Sequence, residues 1–261
     1  MGKLIKMDLR RLFHSRLFII SMGVVALINI VLNVALALIL SLFDSAGEIP
    51  ETLLSDLIVE PFFISLLIIP LFVSVISFSY SDIANGYIKN IAGQIQKRSH
   101  TVFSKFVVIG VHNALFLIVG SASNIIGNYA GSAFGNMRVT ADAGIFQGLA
   151  TLLIKWMLCM ALSSILMFFT TGIKNKTLAV VIGVITGTGA LGLVYIGLDA
   201  AIANIFKIEG FSLSDYMPDT LYGAVSVASD TAVINSLIVA VVCTAIFLFL
   251  TVKVFNNRDI K

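Results

Sequence analysis

Few side chains in this sequence could do covalent or acid–base chemistry, and they do not cluster. His14, His100 and His112 are scattered, and Cys159 and Cys243 each lie inside an apolar run, where a thiol packs as a small hydrophobe rather than bridging or binding metal. The chain has no G-x-x-x-x-G-K-[ST] phosphate cradle, no H-E-x-x-H, no G-x-S-x-G elbow and no carboxylate pair within an apolar run. It therefore lacks the patterns that nucleotide hydrolysis, zinc proteolysis, serine hydrolysis and intramembrane acid hydrolysis use. GTGALG, Gly187–Gly192, matches the dinucleotide fingerprint letter for letter, but that fingerprint needs a strand before it and a soluble helix after it. Here it lies in an apolar stretch, where Ala179, Gly183, Gly187, Ala190 and Gly192 make a close-packing face for another helix.

Polar groups inside apolar runs are the remaining candidates. Asn29 and Asn33 are one helical turn apart, and an amide is costly against lipid, so both are expected to face other helices. With His112, Asn113 and Asn124 they are the polar candidates for lining a path through the membrane. His112 is open to two readings, a packed polar group or a proton relay. Lys155 is the one charged side chain inside any apolar run. Inserting a central Lys costs about 2.5–3.5 kcal/mol, which neighbouring Leu, Ile, Phe and Val offset at about 0.3–0.6 each. Its ammonium has three outlets: outward to the interface, to carbonyls or amides of the bundle, or into a substrate path.

The one long polar and basic segment between two apolar runs is Ser81–Lys105, SDIANGYIKNIAGQIQKRSHTVFSK. Ile83, Tyr87, Ile88, Ile91, Ala92 and Ile95 recur at spacings of three and four, so a helix here is amphipathic, with Asp82, Lys89, Asn90, Gln94 and Lys97 mostly opposite. Such a helix, held in water between two spans, offers one face to whatever lies under the membrane.

The elements that must position these residues follow from composition. Of 261 residues, 58% are hydrophobic and 12% charged, with mean hydropathy +1.02, far below the roughly 25% charge of soluble domains. The fold class is an all-α integral membrane protein, a single domain over 1–261. Residues 1–16 carry five bases and one acid, and Ile5, Leu9, Leu12 and Phe13 share a face, so an amphipathic interfacial helix is expected, with Lys3, Lys6, Arg10 and Arg11 at the headgroups. Six spans are expected at 17–43, 62–80, 102–128, 145–171, 178–198 and 233–254, each long enough for the ~30 Å hydrocarbon core. Pro70 is expected to kink the second. Residues 81–101 form the inner loop, and 199–232 form an outer re-entrant segment whose second short helix starts at Pro218. On this topology fourteen of seventeen bases lie inside and eleven of fourteen acids outside, so both termini are expected in the cytoplasm.

The loop after span 2, with Asp82, Gly86, Ile88, Lys89, Asn90, Arg98 and Lys105, together with the basic N-terminal helix and the short helices between spans 5 and 6, resembles permease subunits of ABC transporters of the second exporter class. Asp82 stands where such loops more often have Glu. The resemblance implies a coupling helix near Asp82–Gln96 that enters a cleft on a separate cytoplasmic ATPase. Asp82, Gly86, Tyr87, Ile88, Lys89, Asn90, Ile91, Ile95 and Arg98 would make that contact. It also implies two permeases and two ATPases per assembly in a bacterial cytoplasmic membrane. ATP and Mg would sit on the partner, with no cofactor, catalytic residue or metal site on this chain and no nucleic-acid partner. The acidic outer surface suits an amphipathic or cationic substrate, and exporters of this class include ones for antimicrobial or cytolytic peptides. Two other classes stand beside this reading: an ion-coupled secondary transporter, and a non-transporting membrane anchor or immunity protein.

Overall fold

The structure is a computed structural model that describes residues 1–42, 51–62, 65–84, 99–133, 138–172, 174–206, 212–225 and 230–257. Among these the chain is helical apart from two three-residue strands. The helices are α1 (Gly2–Phe13), α2 (Arg16–Leu42), α3 (Leu54–Val59), α4 (Ile69–Ala84), α5 (Ser99–Ser132), α6 (Ile145–Met167), α7 (Lys176–Gly187), α8 (Leu191–Phe206), α9 (Pro218–Ala224) and α10 (Asp230–Asn256). Strands β1 (Glu51–Leu53) and β2 (Arg138–Thr140) pair in parallel, Thr52 opposite Val139.

Four helical segments are long and apolar enough to cross a membrane: α2, α5, α6 with the π turn Phe168–Gly172 that continues it, and α10 from Val233 onward. A fifth is possible by composition if α7 and α8 count as one span, but they meet at 83°. The remaining expected span, the second, at 62–80, is shorter: a 3-10 turn at Ser65–Ile68 leads into the 16 residues of α4. Pro70 is the second residue of that helix. Its missing N–H falls in the first turn, where helices leave donors unpaired anyway, rather than in the interior where a kink was expected.

Helix α5 is the axis of the bundle. Its buried positions, among them Val108, Ile109, His112, Phe116, Gly120, Asn124, Gly127 and Gly131, recur every three or four residues for its whole length. Helix α2 lies along it because a small residue permits close approach: a Cβ on Gly127 would come within 2.9 Å of the Asn33 Cβ; Gly120 likewise admits the 61–62 segment, its Cβ falling within 2.7 Å of the Pro61 carbonyl oxygen. The inward stripe of α2 is Phe18, Ser21, Val25, Asn29, Asn33 and Ala37, while Ile19, Ile20, Leu27, Val31, Leu38 and Ile39 face outward and exposed. Polar inside and apolar outside suits a helix whose surroundings are hydrocarbon, since exposed Ile and Leu then need no water. Helix α10 repeats the pattern, with Ser236 and Thr251 buried and Ile238, Val242, Ile246 and Phe249 exposed.

The break between α7 and α8 falls within GTGALG. Gly189 has φ +72, a backbone that L side chains adopt rarely, and there the chain turns out of α7. The helix-packing expectation for the face Ala179, Gly183, Gly187, Ala190 and Gly192 holds in its first part: Gly183 faces Phe72 and Ile76, and Gly187 faces Ile68 and Ile69. Around Gly192 nothing lies within 4 Å of a would-be Cβ, so the expected continuous span at 178–198 is instead a short helix, a turn and a second helix. Pro218 opens α9 at its first position, as expected.

Candidate functional site

Polar contacts divide between the two ends of the bundle. At one end, α1 is tied to the helices that flank the basic segment. Asp8 is buried; its carboxylate accepts from the Ser104 hydroxyl of α5 at 2.6 Å and pairs with Arg11 at 3.4 Å. Arg11 also donates to the Ser81 hydroxyl of α4 at 3.3 Å. Lys105, buried at the start of α5, donates to the Ser79 carbonyl at 2.7 Å. Lys176 lies 6.0 Å from the Tyr80 ring centroid. Lys3, Lys6 and Arg10 are exposed on the outer face of α1, in keeping with the amphipathic helix expected there. Asp82 lies in the last turn of α4; Gly86, Tyr87, Ile88, Lys89, Asn90, Ile91, Ile95 and Arg98 lie outside the described residues.

At the other end, the acidic segment before α4 is folded into the bundle rather than left as a surface loop. Leu57, Ile58 and Val59 of α3 are buried against α5 and α6. Ser55 N–H donates to the Asp142 carboxylate at 3.0 Å, and the second carboxylate oxygen accepts from Gly144 N–H at 2.9 Å. The Ser55 bonds hold the Asp142 carboxyl below its ordinary range.

Between the ends runs a seam of amides. Asn29 Nδ2 donates to Pro61 O at 2.9 Å, Ser123 Oγ at 3.0 Å and Gly120 O at 3.2 Å. Asn33 Nδ2 donates to Asn29 O and to Asn124 Oδ1, both at 2.8 Å; Asn124 Nδ2 reaches Glu60 O at 2.7 Å, and Asn128 Nδ2 reaches Asn33 Oδ1 at 2.9 Å. Thus Asn29, Asn33 and Asn124, named separately as path candidates, form one buried network pinning α2 and α5 to the 58–61 backbone, which Ser121 reinforces at Ile58 O. Asn128 belongs to it too; its spacing of four from Asn124 was the available signal.

His112 and Asn113 point to different neighbours. His112 is fully buried between the rings of Phe18, at 5.1 Å, and Phe116, at 6.2 Å, and neither ring nitrogen has a hydrogen-bond partner. Asn113 Nδ2 donates to Ser163 Oγ of α6 at 2.9 Å.

Lys155 takes none of the three outlets expected for it and pairs instead with a carboxylate. Its ammonium sits 3.3 Å from the Glu60 carboxylate and 5.3 Å from the centroid of the Tyr222 ring. The lysine is 2% exposed and Glu60 60%, so the pair joins a buried cation to a carboxylate in contact with the surroundings. Sequence reasoning placed Glu60 only among the outer acids; its position immediately before Pro61 and an apolar run was the clue. Beside this pair lies a pocket of about 230 Å³ between α4, α6, the end of α7 and α9, with Ile68, Phe72, Leu162, Gly187 and Tyr222 in its wall. Asp219, in the first turn of α9, also lines it and accepts from the Tyr195 hydroxyl at 3.0 Å. Burial holds the Asp219 carboxyl above its ordinary range, with the Tyr195 bond working against that shift.

Among the described residues no group of three His, Cys, Asp or Glu is placed to hold a metal ion. The chain is thus a helical protein with several membrane-length apolar helices, a polar seam within it and a distinct polar cluster at each end. Compared with protein-family models and with curated proteins, it matches none.

Proposed function

We propose that this chain is the membrane-spanning permease subunit of an ATP-driven ABC exporter, moving an amphipathic or hydrophobic substrate, antimicrobial or cytolytic peptides being the best fit, outward through a dimer of permeases. Both termini are cytoplasmic on this reading, and the membrane is the bacterial cytoplasmic one. One observation carries it. The basic amphipathic segment 81–105 joins α4 and α5, and α1 is bonded to both of those helices beside it through Arg11 to Ser81 and Asp8 to Ser104. Two helices tied in this way to one basic helix are suited to moving together when a soluble motor acts on the segment between them. The chain has no phosphate cradle of its own, so uphill transport requires a partner to hydrolyse ATP.

The test is whether the tagged chain, purified from its own cells, brings down a nucleotide-binding ATPase subunit. Ile91→Asp is expected to abolish the complex and ATP-driven export while leaving membrane insertion intact, because interface energy concentrates in a few buried apolar anchors. An unchanged complex overturns the coupling role. Labelling, from outside intact cells, of a cysteine placed at Lys89 overturns the topology.

A second reading, an ion-coupled carrier, draws on the 83° break between α7 and α8, since broken helices are common at carrier binding sites. Transport in proteoliposomes that persists without ATP and collapses with an ionophore favours it.

A further inference from the structure

The pocket beside Lys155 has a chemistry of its own. Its wall is apolar, from Ile68, Phe72, Leu162 and the Tyr222 ring, and among the residues lining it Asp219 is the one charged side chain. Thr186 and Gly187, the last residues of α7, also line it. They bring the negative end of that helix to the same space as the carboxylate. Lys155, which lies against the Tyr222 ring, is paired with Glu60 at 3.3 Å. Among the described residues that line the cavity, the charge is therefore negative on a mostly apolar wall. At about 230 Å³ it is smaller than the ~300–1,000 Å³ of sites for drug-sized ligands, so it admits one side chain or the head of a small molecule.

We propose that this pocket is a binding site for an alkylammonium group, with the cation at Asp219 and the alkyl chain against Phe72, Leu162 and Ile68. The proposal rests on the exporter reading for its place in transport, naming the substrate chemistry as cationic and apolar together, but the binding itself requires no ATPase. The same group occurs on free alkylamines and on lysine side chains of peptides, and the two sources are separable by experiment.

The experiment is calorimetric titration of the full chain in lipid nanodiscs, against empty nanodiscs, with n-hexylammonium, n-hexanol and hexanoate. Hexylammonium is expected to bind roughly tenfold or more tightly than hexanol, and hexanoate not at all, since a carboxylate partner favours the cation alone. Asp219→Asn keeps the shape and an acceptor for Tyr195, and is expected to bring hexylammonium down to the affinity of hexanol. Gly223→Leu puts a side chain into the cavity from a position with nothing within 4 Å of a would-be Cβ, and is expected to abolish binding of both. A lysine-containing tripeptide amide that competes with hexylammonium assigns the site to peptides, and one that does not assigns it to free amines. Equal binding of cation and carboxylate by the wild-type chain overturns the proposal without any variant, as does hexylammonium affinity unmoved by Asp219→Asn. Loss of ATPase co-purification would sink the exporter reading and leave this result standing.

Discussion

Truncating Asn29 to alanine tests whether the amide seam is structural or a wet path. The Asn29 side chain is fully buried, and its Nδ2 faces three acceptors: Pro61 O, Gly120 O and Ser123 Oγ. An amide nitrogen carries two hydrogens, so these contacts amount to two hydrogen bonds with one shared. Bonds between buried side chains in membrane proteins average about 0.6 kcal/mol and reach about 1.7, which gives about 1–3 kcal/mol for the pair. Gly120 O keeps the Ser123 hydroxyl at 2.8 Å, but Pro61 O loses its side-chain donor. Stranding a buried acceptor adds about 1–3 kcal/mol. Asn29→Ala should therefore destabilise by about 2–6 kcal/mol, read as a shift in the unfolding curve in mixed detergent micelles under SDS titration. Asn29→Asp is the sharper form, since the carboxylate keeps the shape but offers no N–H to three oxygens; it should lose at least as much. A change below about 0.5 kcal/mol for both variants, within the range of surface substitutions, would refute the reasoning and mean that water already serves these groups.

Other perturbations address the two ends. Glu60→Gln should destabilise more than Lys155→Met, because the first strands a buried ammonium while the second replaces it with an apolar side chain of similar length; thermal midpoints in detergent compare them, and the reverse order would show that Lys155 is solvated. Gly187→Ala should lower stability by about 1–3 kcal/mol, since its Cβ would lie 2.5 Å from Ile69 Cγ1, whereas Gly223→Ala, with open space around it, should not. The Asp142 carboxyl, held below its ordinary range by Ser55, contributes stability that is present above the ordinary carboxylate pKa and lost as pH falls through its depressed value. Asp142→Asn should flatten that acid limb of a stability–pH profile. Asp219 has the opposite sign: its raised value means the fold weakens as pH rises from the ordinary carboxylate pKa through the raised one, so Asp219→Asn should be more stable than wild type at neutral pH.

The long helices were legible because apolar length is a strong signal: α2, α6 and α10 begin or end within a few residues of the expected spans. Span 5 was expected as one helix because an apolar composition is indifferent to whether the chain runs straight, and only Gly189 could announce the 83° bend. The acidic segment was placed on the outer side from its charges, which say nothing of depth; Leu57, Ile58 and Val59 form a short apolar run inside it, and that run is what packs into the bundle. Asp8 was counted as a lone acid among bases; its spacing of three from Arg11 pointed to a pair, but Ser104 could not be foreseen because it is distant in sequence.

These misses share a physical origin that bears on function. Periodicity reports which face of a helix is apolar, and in a bilayer that face looks toward lipid, so the informative residues are the polar ones that remain. Each of Asp8, Asn29, Asn33, Asn124, Lys155 and Asp219 makes a bond to another segment. Three of those bonds, from Asn29, Asn124 and Lys155, end on residues 60–61. The short stretch before α4 is therefore where the seam and the Lys155–Glu60 pair meet. Glu60 is bonded at once to the seam, through its carbonyl and Asn124, and to Lys155, through its carboxylate, so a displacement of this stretch is felt by both. The pair at its centre joins an ammonium 2% exposed to a carboxylate 60% exposed, so parting them strands a buried charge, and this contact resists separation rather than yielding first.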